Sequence, residues 1–263
     1  MADNLTMFSL KGKVALVTGA HGLYGRQITE AVAGAGAAVY IASRDTAKLA
    51  SFAEELARAG TPAQVLPLDL SDESSIQQAI RTIEMQSGRL DILVNNAVTR
   101  NATVGWDQSM DAYDASLRVN ASGLFYITNA AAALMKKHNQ GSIINIGSMM
   151  GMVGVENANY DNTDMAKDLS PIYFYEKGGM INFTRHAASI LGPWNIRVNC
   201  VSPGGFQTES HPEPFVKQYS ARTQLGRMAN ADDLKGVVIL LASEASAYIT
   251  GVNIPVDGGY TAK

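Results

Sequence analysis

Tyr173 and Lys177 stand four positions apart in the run YFYEKGGMINFTRHAASIL. On a helix that spacing puts a phenol and an ammonium on one face. A free phenol ionises near pH 10, too high for a base at neutral pH. A neighbouring cation favours the phenolate. Bringing the midpoint near 7 takes roughly 4 kcal/mol, at about 1.4 kcal/mol per unit. A partly desolvated ammonium helped by a second positive charge can supply that. Tyr173 is therefore a candidate acid–base group for moving the proton of an alcohol or a carbonyl. A second chemical signal lies near the start of the chain. In TGAHGLYG, Gly19, Gly22 and Gly25 sit between an apolar run and a helical one. Glycines there let the backbone approach a pyrophosphate at the positive end of the helix. A glycine triple alone is weak; its place between strand and helix gives it weight.

Such groups need a scaffold, and the chain alternates in a way that supplies one. Short runs rich in Val and Ile recur at Lys13–Val17, Ala38–Ala42, Ala63–Leu68, Asp91–Asn95, Ser142–Gly147, Ile196–Val201 and Val252–Val256. Helical periodicity marks Arg26–Gly34, Thr46–Arg58, Ser74–Gln86, Ala121–Lys137, Met180–Leu191 and Ala231–Leu241. Continuous apolar strands suit a parallel sheet covered on both faces. The alternation predicts a doubly wound α/β fold in one domain, residues 1–263. Two stretches break the rhythm. Val155–Pro171 is polar and aperiodic, with Glu156, Asn157, Asn159, Asp161 and Asn162; Pro203–Arg222 is irregular, polar and aromatic. Long loops of this kind are usually lids or binding loops.

Composition excludes several classes. With 46% hydrophobic and 17% charged residues among 263, the chain is expected to be globular. A net charge of −3 without a basic cluster argues against nucleic acid or an anionic membrane as partner. The lone Cys200 suits a reducing compartment. MADNLTMFSL lacks a signal-peptide pattern. No run approaches the roughly 20 apolar residues that span a bilayer. The expected location is cytoplasmic. His21, His138, His186 and His211 have no metal-ligand spacing, so no metal is expected.

Taken in order, the motifs resemble the short-chain dehydrogenase/reductase family over nearly the whole chain. Asn95–Asn96–Ala97 is similar to the family's Asn-Asn-Ala-Gly strand end, with Val98 for the glycine; RVNASGLF places Asn120 at its helix asparagine; SIINIGS places Ser148 at its catalytic serine. YFYEK supplies Tyr173 and Lys177, IRVNCVSPGGFQT resembles the sixth strand and nicotinamide loop, and ITGVNIPVDGG the last strand. The resemblance implies a Rossmann-type sheet of seven strands in the order 3-2-1-4-5-6-7. It implies a catalytic set of Asn120, Ser148, Tyr173 and Lys177, with Asn120 anchoring a water and Lys177 also binding the ribose. Cofactor contacts are expected from His21, Leu23 and Tyr24 beside the glycines, from Ser43 and Arg44, and from Asp69 and Leu70. Asn96, Ala97, Pro203, Gly204, Phe206 and Thr208 complete the set, with Tyr173 and Lys177.

Selectivity is read after the second strand, where an acid bonds a ribose hydroxyl and an Arg accommodates a 2′-phosphate. Here Ser43 and Arg44 precede Asp45, which points to NADP, with NAD as the alternative. Two features depart from the family's single-domain branch. Leu23 replaces a glycine, and Ser148 and Tyr173 are 173 − 148 = 25 positions apart, about twice the usual separation. Residues 155–171 therefore look like an insertion, with 203–222 a substrate lid. The spacing also raises a rival: Tyr160 lies nearer the usual distance from Ser148, but Asp164 four positions on would raise its pKa. The polar insertion, with Thr99, Arg100, Asn101, Gln207, Thr208, Glu209 and His211, suggests a sugar, polyol or other polyhydroxylated substrate. Rivals are a 3-oxoacyl thioester, which predicts an apolar channel, and nucleotide-sugar epimerisation or dehydration. Family resemblance implies a homotetramer or homodimer.

Overall fold

The computed structural model describes residues 4–100, 105–165 and 170–262. Seven parallel strands form one sheet: β1 (Val14–Thr18), β2 (Ala38–Ser43), β3 (Ala63–Pro67), β4 (Ile92–Asn95), β5 (Gly141–Ile146), β6 (Ile196–Pro203) and β7 (Asn253–Val256). Their order is β3-β2-β1-β4-β5-β6-β7. All six pairings are parallel, for example Leu16 beside Tyr40 on one side and beside Leu93 on the other. Helices α1 (Leu23–Gly34), α2 (Thr46–Arg58) and α3 (Glu73–Ser87) connect the first strands. They are followed by α4 (Met110–Leu117), α5 (Leu124–Lys136), α6 (Pro171–Leu191), α7 (Glu213–Ser220) and α8 (Lys235–Ala242).

The five inner strands are buried on both faces because both faces are covered, whereas the edge strands β3 and β7 are partly exposed. Val14 and Leu16 of β1 pack with α3, α5 and α6 through Ile80, Ile127 and Leu191. Ala15 and Val17, pointing the other way, pack with α1, α2 and α8 through Ile28, Leu49 and Val238. A third cluster, Met149, Tyr160, Phe215, Tyr219, Met228 and Tyr260, belongs to the segments after β5, β6 and β7. Strand order reverses between β1 and β4, so their carboxyl ends diverge and leave a crevice, the place where open α/β sheets bind ligands.

Three expectations are corrected. Pro203–Arg222 contains a helix: Pro214 lies in the first turn of α7, and Phe215 and Tyr219, four apart, form its buried stripe. The helix expected from Met180 starts nine residues earlier, at Pro171, so it includes Tyr173 and Lys177. Between α4 and α5, Arg118–Gly123 forms a π-helical turn. No helix among the described residues is long and apolar enough to cross a membrane.

Candidate active site

One cavity of about 1090 Å³ runs along the carboxyl ends of the strands. Every residue anticipated for catalysis or the cofactor lines it except Asn120, which lies behind its wall, whereas Gln207 and Glu209, anticipated for the substrate, do not line it. At one end is the glycine turn. A Cβ on Gly25 would come within 2.2 Å of the Gly19 carbonyl oxygen, and one on Gly19 within 2.8 Å of the Ala97 Cα. Gly19 also has φ +63°, a left-handed conformation that favours glycine. Gly22 caps α1 without a side-chain bond, which leaves the helix N-terminus open. Asn96 holds the turn: its Nδ2 donates to the Thr18 and Gly19 carbonyls at 3.1 and 2.9 Å. The Thr18 hydroxyl accepts from the Asn96 and Ala97 amides, a role its sequence position did not announce.

His21 Nδ1 is buried with no hydrogen-bond partner in the wall of this cradle. Burial holds the His21 imidazole below its ordinary pKa, against the pull of Asp45. Next to it, Asp45 caps α2 by accepting from the Lys48 amide at 3.0 Å, and its carboxylate pairs with the Lys48 ammonium at 3.1 Å. Ser43, Arg44, Asp45 and Lys48 all line the cavity, the acid engaged as the cap of its own helix and paired with Lys48. Lys48 was not anticipated; its signal was a second cation four positions after Arg44. Asp69 is held by accepting from the Ser71 amide and hydroxyl, with Leu70 beside it in the wall. A glycine cradle, an open helix N-terminus, an orphaned imidazole nitrogen and two cations fit the diphosphate and ribose of a dinucleotide.

The opposite wall is closed by one tyrosine. Tyr24 donates its hydroxyl to the Gly204 carbonyl at 2.7 Å and meets the Phe206 ring edge-on at 5.4 Å. The turn after β1 is thereby tied to the loop after β6, where Pro203, Gly204 and Thr208 line the cavity. His211 Nδ1 accepts from the Thr208 amide at 3.1 Å and its ring packs on Phe215.

Ser148 and Tyr173, despite their sequence separation, line the same cavity, and the serine hydroxyl helps to lower the pKa of the phenol. The bridge is Gly151: a Cβ there would lie 2.6 Å from the Lys177 backbone, so the turn Met149–Gly151 packs directly on α6. Lys177 is 5% exposed, and its ammonium donates to the Ile146 carbonyl at 2.7 Å. The ammonium lies 5.7 Å, and the Arg100 guanidinium 5.2 Å, from the centre of the Tyr173 ring. Burial opposes ionisation of this phenol, but Lys177, Arg100 and the Ser148 hydrogen bond outweigh it and hold its pKa below the usual value. Tyr160 is the opposite case. Burial pushes its pKa up, and the ring packs on Phe215 at 5.3 Å. Asn120 is buried in the π-helical turn; its amide donates to the Thr99 carbonyl at 2.9 Å and to Glu176 at 2.8 Å. It caps no helix.

The wall beyond Tyr173 comes from Met149, Met150, Tyr160, Phe215, Tyr219 and Met228, with Arg100, Thr208, Ser210 and His211 among them. Glu156, Asn157, Asp161 and Asn162 are exposed and do not line the cavity. Asn159 is buried, donating to the Tyr260 hydroxyl at 2.7 Å. Among its described residues the insertion therefore contributes an aromatic ring to the wall, not a polar rim. Asn101 lies outside the described residues.

Comparison with known proteins agrees with this architecture. The family model described as enoyl-(acyl carrier protein) reductase matches residues 19–261. A 3-oxoacyl-(acyl-carrier-protein) reductase of Aquifex aeolicus is 35% identical over 255 residues, 95% of this chain and 98% of that protein. A cyclopentanol dehydrogenase of a Comamonas species is 34% identical over 263 residues, 97% and 100% of the two chains. The crystal structure of a gluconate 5-dehydrogenase from Burkholderia cenocepacia, in complex with NADP and tartrate, superposes with a TM-score of 0.88 at 30% identity, covering 98% and 99%. With its strand order, glycine turn and these relatives together, the chain belongs to the short-chain dehydrogenase/reductase family and is an NAD(P)-dependent oxidoreductase acting on CH–OH groups.

Proposed function

We propose that the protein interconverts a secondary alcohol and a ketone with NADP(H) as its preferred cofactor, Tyr173 carrying the proton. One observation carries this reading: Tyr173 faces the cavity with Lys177, Arg100 and Ser148 around it, and its phenol is more acidic than usual. A nicotinamide held in the groove supplies or accepts the hydride. In oxidation the Tyr173 phenolate takes the hydroxyl proton; in reduction the phenol returns it. Ser148 is placed to hold the substrate oxygen and stabilise its developing charge. Lys177, fixed by Ile146, keeps a positive charge beside the phenol. Preference for NADP is supported by Ser43 and Arg44 in the wall and by Asp45, in the same wall, being already bonded to the Lys48 amide and ammonium. The dinucleotide would be held by the cradle of Gly19 to Gly25, by Asp69 and Leu70, by Asn96 and Ala97, and by Pro203 to Thr208.

For the substrate, the methionine and aromatic wall supports a carbonyl compound with an apolar body over the polyhydroxylated one that the insertion suggested. A 3-oxoacyl thioester or a cyclic ketone fits such a wall. The polyol reading keeps one support, the polar group Arg100, Thr208, Ser210 and His211 in the same wall. A nicotinamide-absorbance panel of cyclopentanol, a 3-oxoacyl thioester, mannitol and gluconate, run with both cofactors, decides. The expected result is turnover of the apolar substrates with NADP(H) favoured. Turnover confined to mannitol or gluconate would overturn the substrate class, and a preference for NAD the cofactor choice. A homodimer or homotetramer is part of this reading, as is work in the cytoplasm, which suits a single buried Cys200.

A further inference from the structure

Glu176 is buried beside the tyrosine–lysine pair, 6% exposed, yet the proton step above makes no use of it. Its Oε1 accepts from the Ser116 hydroxyl at 2.7 Å and its Oε2 from the Asn120 amide at 2.8 Å. The same asparagine clasps the backbone of Thr99 through both its amide and its carbonyl oxygen, 2.9 Å each. Glu176 thus supports the segment that carries Arg100. Glu176, Lys177 and Asn120 also share a cavity of about 10 Å³ with Thr18 and Asn95, space for about one water. A carboxyl whose two oxygens both accept hydrogen bonds is suited to its charged form. Leaving that charge buried without partners would be costly, and here two donors and the adjacent ammonium compensate it. Burial pushes the carboxyl's pKa up, against those bonds and the charge of Lys177.

We propose that Glu176 is a positioning residue for the proton step: its carboxylate is the fixed counter-charge that holds Asn120 and Lys177 in place and limits the cationic bias on Tyr173. This rests on the reading of Tyr173 as the proton carrier. Among the described residues few charged or titratable groups surround the pair, and the buried Cys200 thiol of β6 is one, near enough to Lys177 to be acted on by its charge. Lys177 shares α6 with Glu176 and Tyr173, Arg100 faces the phenol from the loop after β4, and Tyr24 faces it from α1. From the helix before α5, Glu176 meets only the uncharged Ser116 and Asn120. With the negative charge removed, Lys177 has no carboxylate beside it, and the cationic bias on Tyr173 grows against the burial that opposes it.

Glu176→Gln keeps the shape and removes the charge. Phenolate absorbance in the near ultraviolet, followed against pH and corrected with the matching Tyr173→Phe protein, isolates the ionisation of Tyr173 without any substrate. The expected result is a midpoint about 0.5–1 pH unit lower in Glu176→Gln, with Glu176→Asp returning towards the parent value. If Glu176→Gln does not fold, Ser116→Ala, which weakens the charged form of Glu176, is expected to move the midpoint the same way by less. An unmoved midpoint in the folded variant overturns the inference. Substrate turnover retained by Tyr173→Phe would instead overturn the parent reading, so the two failures are separable.

Discussion

Two tyrosines reach the same cavity, and their surroundings push them apart. Tyr173 has two cations and a serine hydroxyl; Tyr160 has aromatic neighbours and no cation among the groups that shift it. Only the first is equipped to exchange a proton. Tyr173→Phe is expected to lower turnover by about 10²–10⁴-fold, the range typical of general acid–base groups. Tyr160→Phe should act mainly on KM, because it leaves the ring in the wall. Steady-state kinetics on the two variants check this, and loss of turnover in Tyr160→Phe alone would reverse the assignment. The pH dependence has a defined sign. Oxidation needs the phenolate, so its rate should rise with pH through a midpoint below 10, while reduction, which needs the phenol, falls over the same range. Residue-level signals of this kind were legible when chemistry and spacing coincided, as in Tyr173 and Lys177. Glu176 and Gly151 were not, because their meaning comes from Asn120 and from the backbone of α6, residues remote in sequence.

At the scale of elements, the site depends on two places where backbone meets backbone. Gly25 lets α1 close on the turn after β1, and Gly151 lets the turn after β5 lie on α6. Gly25→Ala puts a methyl into the Gly19 carbonyl, where no flexible side chain can yield. Cofactor binding is expected to weaken at least about tenfold by fluorescence titration while the far-ultraviolet spectrum persists; unchanged affinity would mean that the turn can relax. The five inner strands were readable because apolar runs buried on both faces leave a continuous signature, and the partly exposed edge strands β3 and β7 by their short apolar runs alone. Their ends differ by one or two residues, as hydrogen-bonding boundaries usually do. Helix α7 was hidden in two turns opened by Pro212 and Pro214, and the start of α6 behind Pro171 and the pair Gly178–Gly179. Those short or glycine-broken helices carry too few periodic positions to stand out from loop.

The whole molecule leaves an aromatic ridge on the outside of α5 and α6. Phe125 is 51% exposed and Tyr175 65%, and Phe125 lies 6.4 Å from Phe183 of α6. Rings of this size on adjacent helices are more apolar surface than a lone chain usually presents to water. The proposed assembly would cover them, and a solution mass of two or four chains is expected from light scattering. Phe125→Glu should shift the mass downward, since it would set a charge within that contact. A single-chain mass at micromolar concentration would refute the assembly.

The hydroxyl of Tyr24 reaches across the groove to the Gly204 carbonyl, and its ring meets Phe206. In the proposed binding mode, grip at the diphosphate and closure at the nicotinamide end would be mechanically joined by this one side chain. A fragment that occupies only the adenosine half should be felt at the far half, as a coupling between sites measurable in either direction.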